Sequence, residues 1–121
     1  MHDITYSVED LIIIRKFYGD ITIKELKLSL KYMIDNKLIT QNQKGVISDF
    51  SDAKFLVNGK DLLLLKDLYL KHYGILGGLR FAQVITTPKI AETMLFKIKN
   101  SDVMTQSFST MKAARKWINQ E

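Results

Sequence analysis

The sequence predicts an α/β fold of order ββαβαβαβα, a mixed and mostly parallel sheet of about five strands with four helices. Three observations carry this expectation. Short β-branched and aromatic runs alternate with stretches whose apolar residues recur at helical spacing. Helix-start signals stand ahead of those stretches, at Thr22, Asn58, Thr87-Pro88 and Thr110. At 121 residues the chain is one domain over 1–121, long enough to bury a core without a metal or a disulfide.

The first strands are read at 3–8 (DITYSV) and 11–18 (LIIIRKFY), separated by Glu9-Asp10 at hairpin distance. Gly19-Asp20 then breaks the run, and Thr22 with Glu25 forms a capping box that satisfies free amides at a helix start. In that helix Ile23, Leu26, Leu30, Met33 and Ile34 share one stripe, while Lys24, Lys27, Lys31 and Asp35 fall on the opposite one. A polar connector leads to a short strand at 45–50 (GVISDF) and a loop, SDAKFLV.

Helix 59–73 follows, with Asn58 as its cap and Asp61 in its first turn, where negative charge suits the helix dipole. It is too apolar for one buried face. Leu62, Leu65, Leu68 and Tyr69 share a stripe, which leaves Leu63, Leu64 and Leu70 for a neighbouring element or for self-association.

The glycines Gly74, Gly77 and Gly78 follow a helix and precede a strand. Phosphate-gripping glycines stand the other way round, between a strand and a helix. Gly74 therefore reads as the left-handed residue ending helix 59–73, with Gly77-Gly78 turning the chain into strand 80–86. After that strand, Thr86, Thr87 and Lys89 gather a hydroxyl, helix-start amides and an ammonium where open α/β sheets place ligand crevices, so they are candidates for an anionic ligand. A helix from Pro88 to Asn100, a strand at 103–108 and a helix capped by Thr110, with Met111, Ala114, Trp117 and Ile118 at core spacing, complete the chain. Polar residues interrupt the later strands, so the helices are expected mostly on one face of the sheet, leaving part of the other open.

Composition narrows the function classes. Cysteine is absent, which excludes thiol chemistry, disulfides and cysteine metal sites. The polar start MHDITYSVED does not read as a signal peptide, and no apolar run approaches the ~20 residues of a membrane span, so a cytoplasmic protein without membrane insertion is expected. The net charge of +5 is uneven: residues 1–60 carry 9 basic and 8 acidic side chains, and residues 61–121 carry 9 and 5. The interleaved aromatic and basic residues of an RNA-binding sheet are missing, so nucleic acid is not expected.

Asp49 and Asp52, with Ser51 between them, are placed where a strand gives way to a loop, a position suited to carboxylate chemistry or to capping of the turn. Neither His2 nor His72 has a sequence-local partner. A Ser51, His72 and Asp49 set lacks any nucleophile motif, so the chain reads as non-catalytic, with no cofactor.

The stretches ITYSVEDLIIIRKFYGDITIKEL, GVISDFSDAKF, HYGILGGLRFAQVITTP and SFSTMKAARKWI together resemble the SpoIIAA-like branch of the STAS domains, relatives of the bacterial anti-sigma factor antagonist of sporulation. The resemblance spans nearly the whole chain through dispersed pattern. It implies a small regulatory domain that binds proteins, some relatives binding nucleotides or lipids. In the antagonists a serine in D-S-S-G at the second helix start is phosphorylated to break the complex; here that stretch is Val57-Asn58-Gly59-Lys60, with no hydroxyl. Ser51 is the remaining switch candidate, in a loop with Asp49, Asp52 and Asn58. Two function classes follow: a protein-interaction module acting as a homodimer or on a protein partner, and a binder of a nucleotide or lipid headgroup around Thr87.

Overall fold

Strands β1 (His2–Glu9) and β2 (Ile12–Ile21) form an antiparallel hairpin, with His2 opposite Gly19 and Glu9 opposite Ile12. The computed structural model describes residues 2–40, 42–56, 59–76, 78–86 and 104–120. Asp10 and Leu11 join the strands with φ of 53° and 65°. Left-handed φ at both positions is the two-residue turn whose twist matches paired strands. Leu11 thus belongs to the turn and not to the second strand. That strand also runs through Gly19-Asp20, expected as a break, because Gly19 and Asp20 pair with Ala53 and Lys54 of β3.

Helix α1 (Ile23–Asp35) starts where expected, with the Glu25 carboxylate accepting from the Thr22 N–H at 2.8 Å and from its hydroxyl. Leu26, Leu30 and Met33 are buried, and Ile23 and Ile34 pack against the same core. Strand β3 (Gly45–Phe55) lies parallel to β2. It has 11 residues where six are expected, and residues 51–55 of the anticipated loop SDAKFLV are strand. Lys16 pairs with Asp49 and Tyr18 with Asp52, so β3 accommodates one extra residue there. Such a bulge lets a strand continue through polar residues that would otherwise reverse its faces.

Helix α2 (Gly59–Lys71) and the single turn α3 (Tyr73–Leu76) lead to β4 (Arg80–Val84). The left-handed residue before this strand is Gly78, with φ of 84°, whereas Gly74 lies inside α3; Gly77 falls outside the described residues. The expected helix 88–100 also falls outside them. Strand β5 (Met104–Phe108) and helix α4 (Met111–Ile118) finish the chain, the Thr110 hydroxyl accepting from the Ala113 N–H at 3.2 Å.

The sheet order is β1-β2-β3-β4-β5, with β2 to β5 all parallel. Right-handed crossovers between successive parallel strands carry their helices to one face. Accordingly α1 and α2 cover a core of Ile13, Phe17, Phe50, Tyr69 and Phe81. Helix α4 follows the last strand and closes no crossover. It packs on the opposite face, where Ala114 and Ile118 meet Ile12, Ile47, Ala82 and Val84. The expectation of helices mostly on one face describes α1 and α2, and α4 covers only the strand starts of the second face. Gly45 permits that approach, because a Cβ there would stand 2.4 Å from the Arg80 carbonyl oxygen and 3.1 Å from Ile118.

One polar row crosses the helix-covered face. Tyr6, Arg15, Ser48, Gln83 and Ser107 occupy matched positions on the five strands. Arg15 is 4% exposed; its Nε donates to Ser48 Oγ at 2.6 Å and its Nη1 to Ser29 Oγ of α1 at 3.0 Å. Tyr6 donates to the same Ser29 oxygen at 3.0 Å.

Candidate functional site

The open surface of the helix layer lies between α1 and α2. One residue separates Ile21 from α1 and three separate Phe55 from α2; Ile21 and Phe55 are paired in the sheet, so both helices leave the same end of it and run the same way. The segments that face each other across the space between them are 27–35 and 64–72. Between them is a groove of about 520 Å³. Its apolar lining is Leu28, Leu30, Ile34, Leu64 and Leu68, and its polar lining is Lys27, Lys31, Asp35, Asp67, Lys71 and His72.

The groove exists because each helix carries more apolar residues than the sheet can cover. On α1 the core stripe is complete without Leu28, which is 56% exposed and lines the groove, and without Tyr32, whose ring stacks on Tyr6 of β1 at 4.6 Å, away from the groove lining. On α2 Tyr69 is buried and Leu68 half-buried against the core, while Leu63 and Leu64 are 62% and 46% exposed. The side chain of Leu70, the third leucine singled out in the sequence, lies outside the described ones. Reading α1 for its core stripe missed Leu28 and Tyr32. Their spacing of four on the polar side was the available signal.

Charge around the groove alternates. Thirteen-residue helices starting at Ile23 and Gly59 place Lys31 level with Asp67, and Asp35 level with Lys71. None of these four side chains forms an ion pair among the described residues.

The Asp49, Ser51 and Asp52 set lies elsewhere, inside β3. Asp49 is buried, and its Oδ1 accepts from the Ser51 N–H at 2.9 Å and from the Ser51 hydroxyl at 2.6 Å. Asp52 pairs with Lys16 at 3.0 Å and raises the pKa of that ammonium, through the hydrogen bond first and its charge second. Asp49 stands one pleat from Ile47 on the α4 side, whereas His72 lines the groove on the other side. The strand geometry therefore separates the Ser51, His72 and Asp49 set. The switch loop proposed from sequence is a bulged strand at Asp49, Ser51 and Asp52, and Asn58 lies outside the described residues.

Thr86 is exposed just past the carboxyl end of β4, while Thr87 and Lys89 fall outside the described residues. Sequential strand order leaves no switch point among β2 to β5, and it is at switch points that neighbouring loops part to open a ligand crevice. No cluster of three metal-ligating side chains occurs among the described residues, and no described helix is long and apolar enough to cross a membrane.

No protein-family model matches the chain, and no curated protein matches it. Solved structures do. An uncharacterised DUF3478-family protein with a SpoIIAA-like fold from Shewanella loihica PV-4 superposes with a TM-score of 0.58 at 13% identity, covering 97% of this chain and 93% of that one. The anti-sigma factor antagonist SpoIIAA in its unphosphorylated form gives a TM-score of 0.59 at 10% identity, covering 98% of this chain and 100% of that one. The chain has the SpoIIAA-like α/β fold, as its sequence pattern implied.

Proposed function

We propose that this protein is a non-catalytic regulatory module of the STAS type that works by binding protein through the α1–α2 face. The observation that carries this reading is the groove itself. Leu28 and Leu64 line it at 56% and 46% exposure on two adjacent helices, Leu63 next to Leu64 is 62% exposed, and the charges Lys31, Asp35, Asp67 and Lys71 beside them form no ion pair among the described residues. Contiguous apolar surface of this kind, rimmed by polar residues, marks interaction sites on soluble domains. The likeness to an anti-sigma factor antagonist, a protein regulator by its name, supports the same class.

Leucine substitution tests the reading. Wild-type protein immobilised from native lysate should retain a protein partner or a second copy, and Leu63→Asp/Leu64→Asp should lose it while unfolding at an unchanged midpoint. A wild-type chain that is monomeric at every concentration and retains nothing from its own cells contradicts the proposal.

Binding of a nucleotide or lipid headgroup near Thr86, Thr87 and Lys89 is the second reading, supported by the convergence of four parallel strand ends there. The absence of a switch point among those strands weighs against it. Under this reading Lys89→Glu abolishes salt-sensitive ligand binding.

A further inference from the structure

Four charges and two leucines around the groove form rows that complement themselves. Leu28 and Leu64 are each the sixth residue of their helix, Lys31 and Asp67 each the ninth, and Asp35 and Lys71 each the thirteenth. Leucine thus stands level with leucine, and each of these four charges stands level with its opposite, while Lys27, the fifth residue of α1, lines the groove without a charge at its level on α2. All six line the groove. A two-fold axis running along the groove keeps each row at its own height and exchanges α1 with α2.

We propose that the α1–α2 face binds a second copy of this chain about such an axis. Leu28 then meets the second copy's Leu64, Lys31 meets its Asp67, and Asp35 meets its Lys71, each contact occurring twice. The interface is isologous, as dimers about a two-fold require, and it closes without offering a further binding surface. Burial of Leu28 and Leu64, now 56% and 46% exposed, supplies the apolar centre. The charged rows set register and suppress partners of uniform sign. An acidic or a basic partner would meet repulsion in two of the four charged positions, which is why a second copy fits better than a protein of one dominant charge. Lys24 and Lys60, also level with each other, lie outside the groove lining.

This inference rests on the proposed interaction role and adds its partner. Sedimentation equilibrium over micromolar to submillimolar concentrations tests it. Wild-type protein should form a dimer. Lys31→Asp places like charges together at two symmetric contacts and should raise the dissociation constant about tenfold. The swap Lys31→Asp/Asp67→Lys should restore affinity to within a few-fold of wild type, and Leu64→Asp should abolish the dimer. These side chains are exposed, so unfolding curves should confirm that each variant remains folded. A monomer throughout the range overturns the inference, as does a dimer indifferent to both Lys31→Asp and Leu64→Asp. A monomer that still retains a different protein through Leu63 and Leu64 overturns this inference alone and leaves the interaction role standing.

Discussion

Arg15 is held in the interior by neutral hydroxyls: Ser48 on the neighbouring strand, Ser29 on α1, and the Tyr69 phenol of α2 beside it. It also lies 5.2 Å from the centre of the Phe17 ring. One guanidinium therefore joins the sheet to both groove helices. A buried cation carries a large desolvation penalty, and its removal strands every acceptor that faced it. Arg15→Ala should lower unfolding free energy by roughly 3 kcal/mol in urea titration, combining lost hydrogen bonds with a cavity. Arg15→Met, which keeps the volume and removes the charge, should cost clearly less. Tyr69 adds a pH dependence. Burial raises the pKa of its phenol above the ordinary value, and Arg15 only partly opposes this. A raised acid pKa in the fold means that the contribution is complete below about pH 10, where the unfolded tyrosine is also protonated, and is lost as pH rises beyond it. Wild-type stability should thus fall more steeply above about pH 10 than that of Tyr69→Phe, as thermal melts across pH 8 to 11 would record.

At the scale of elements, the hairpin turn is the least suited to its residues. Asp10 and Leu11 both adopt left-handed φ, and Leu11 is 47% exposed, so it gains little from burial. Leu11→Gly produces the Asp-Gly pair that this turn favours and should stabilise the protein by about 0.5–1 kcal/mol in denaturant unfolding. The helices were legible because caps and stripes are local signals: Thr22 with Glu25, Thr110, and the core spacings of α1 and α4 all read directly. Strand ends were less legible, since partners decide them. Gly19-Asp20 reads as a turn in isolation but is kept in β2 by pairing to β3, and Asp49, Ser51 and Asp52 read as a loop until the bulge lets β3 continue. Arg15 is hard to place from sequence for a related reason. A charge inside LIIIRKFY looks like an outward residue, and only its alternation with Ile13 and Phe17 assigns it to the buried face.

For the whole molecule, sequential strand order has two functional consequences. It sends α1 and α2 side by side to one face, which creates the groove, and it removes the switch point at which a ligand crevice would open among the parallel strands. The sequence announced spare leucines on the second helix, yet the groove needs Leu28 and Lys31 from the first. Helix pairing is a property of topology, and single-helix periodicity does not contain it. The proposed role places protein binding on the α1–α2 face. Amide hydrogen exchange on free and associated protein tests it most directly. Association should slow exchange in α1 and α2, around 27–35 and 60–72, leaving β3 near Asp49 and Asp52 and the residues around Thr86 unchanged; protection confined to those latter segments, with the two helices unaffected, would contradict it.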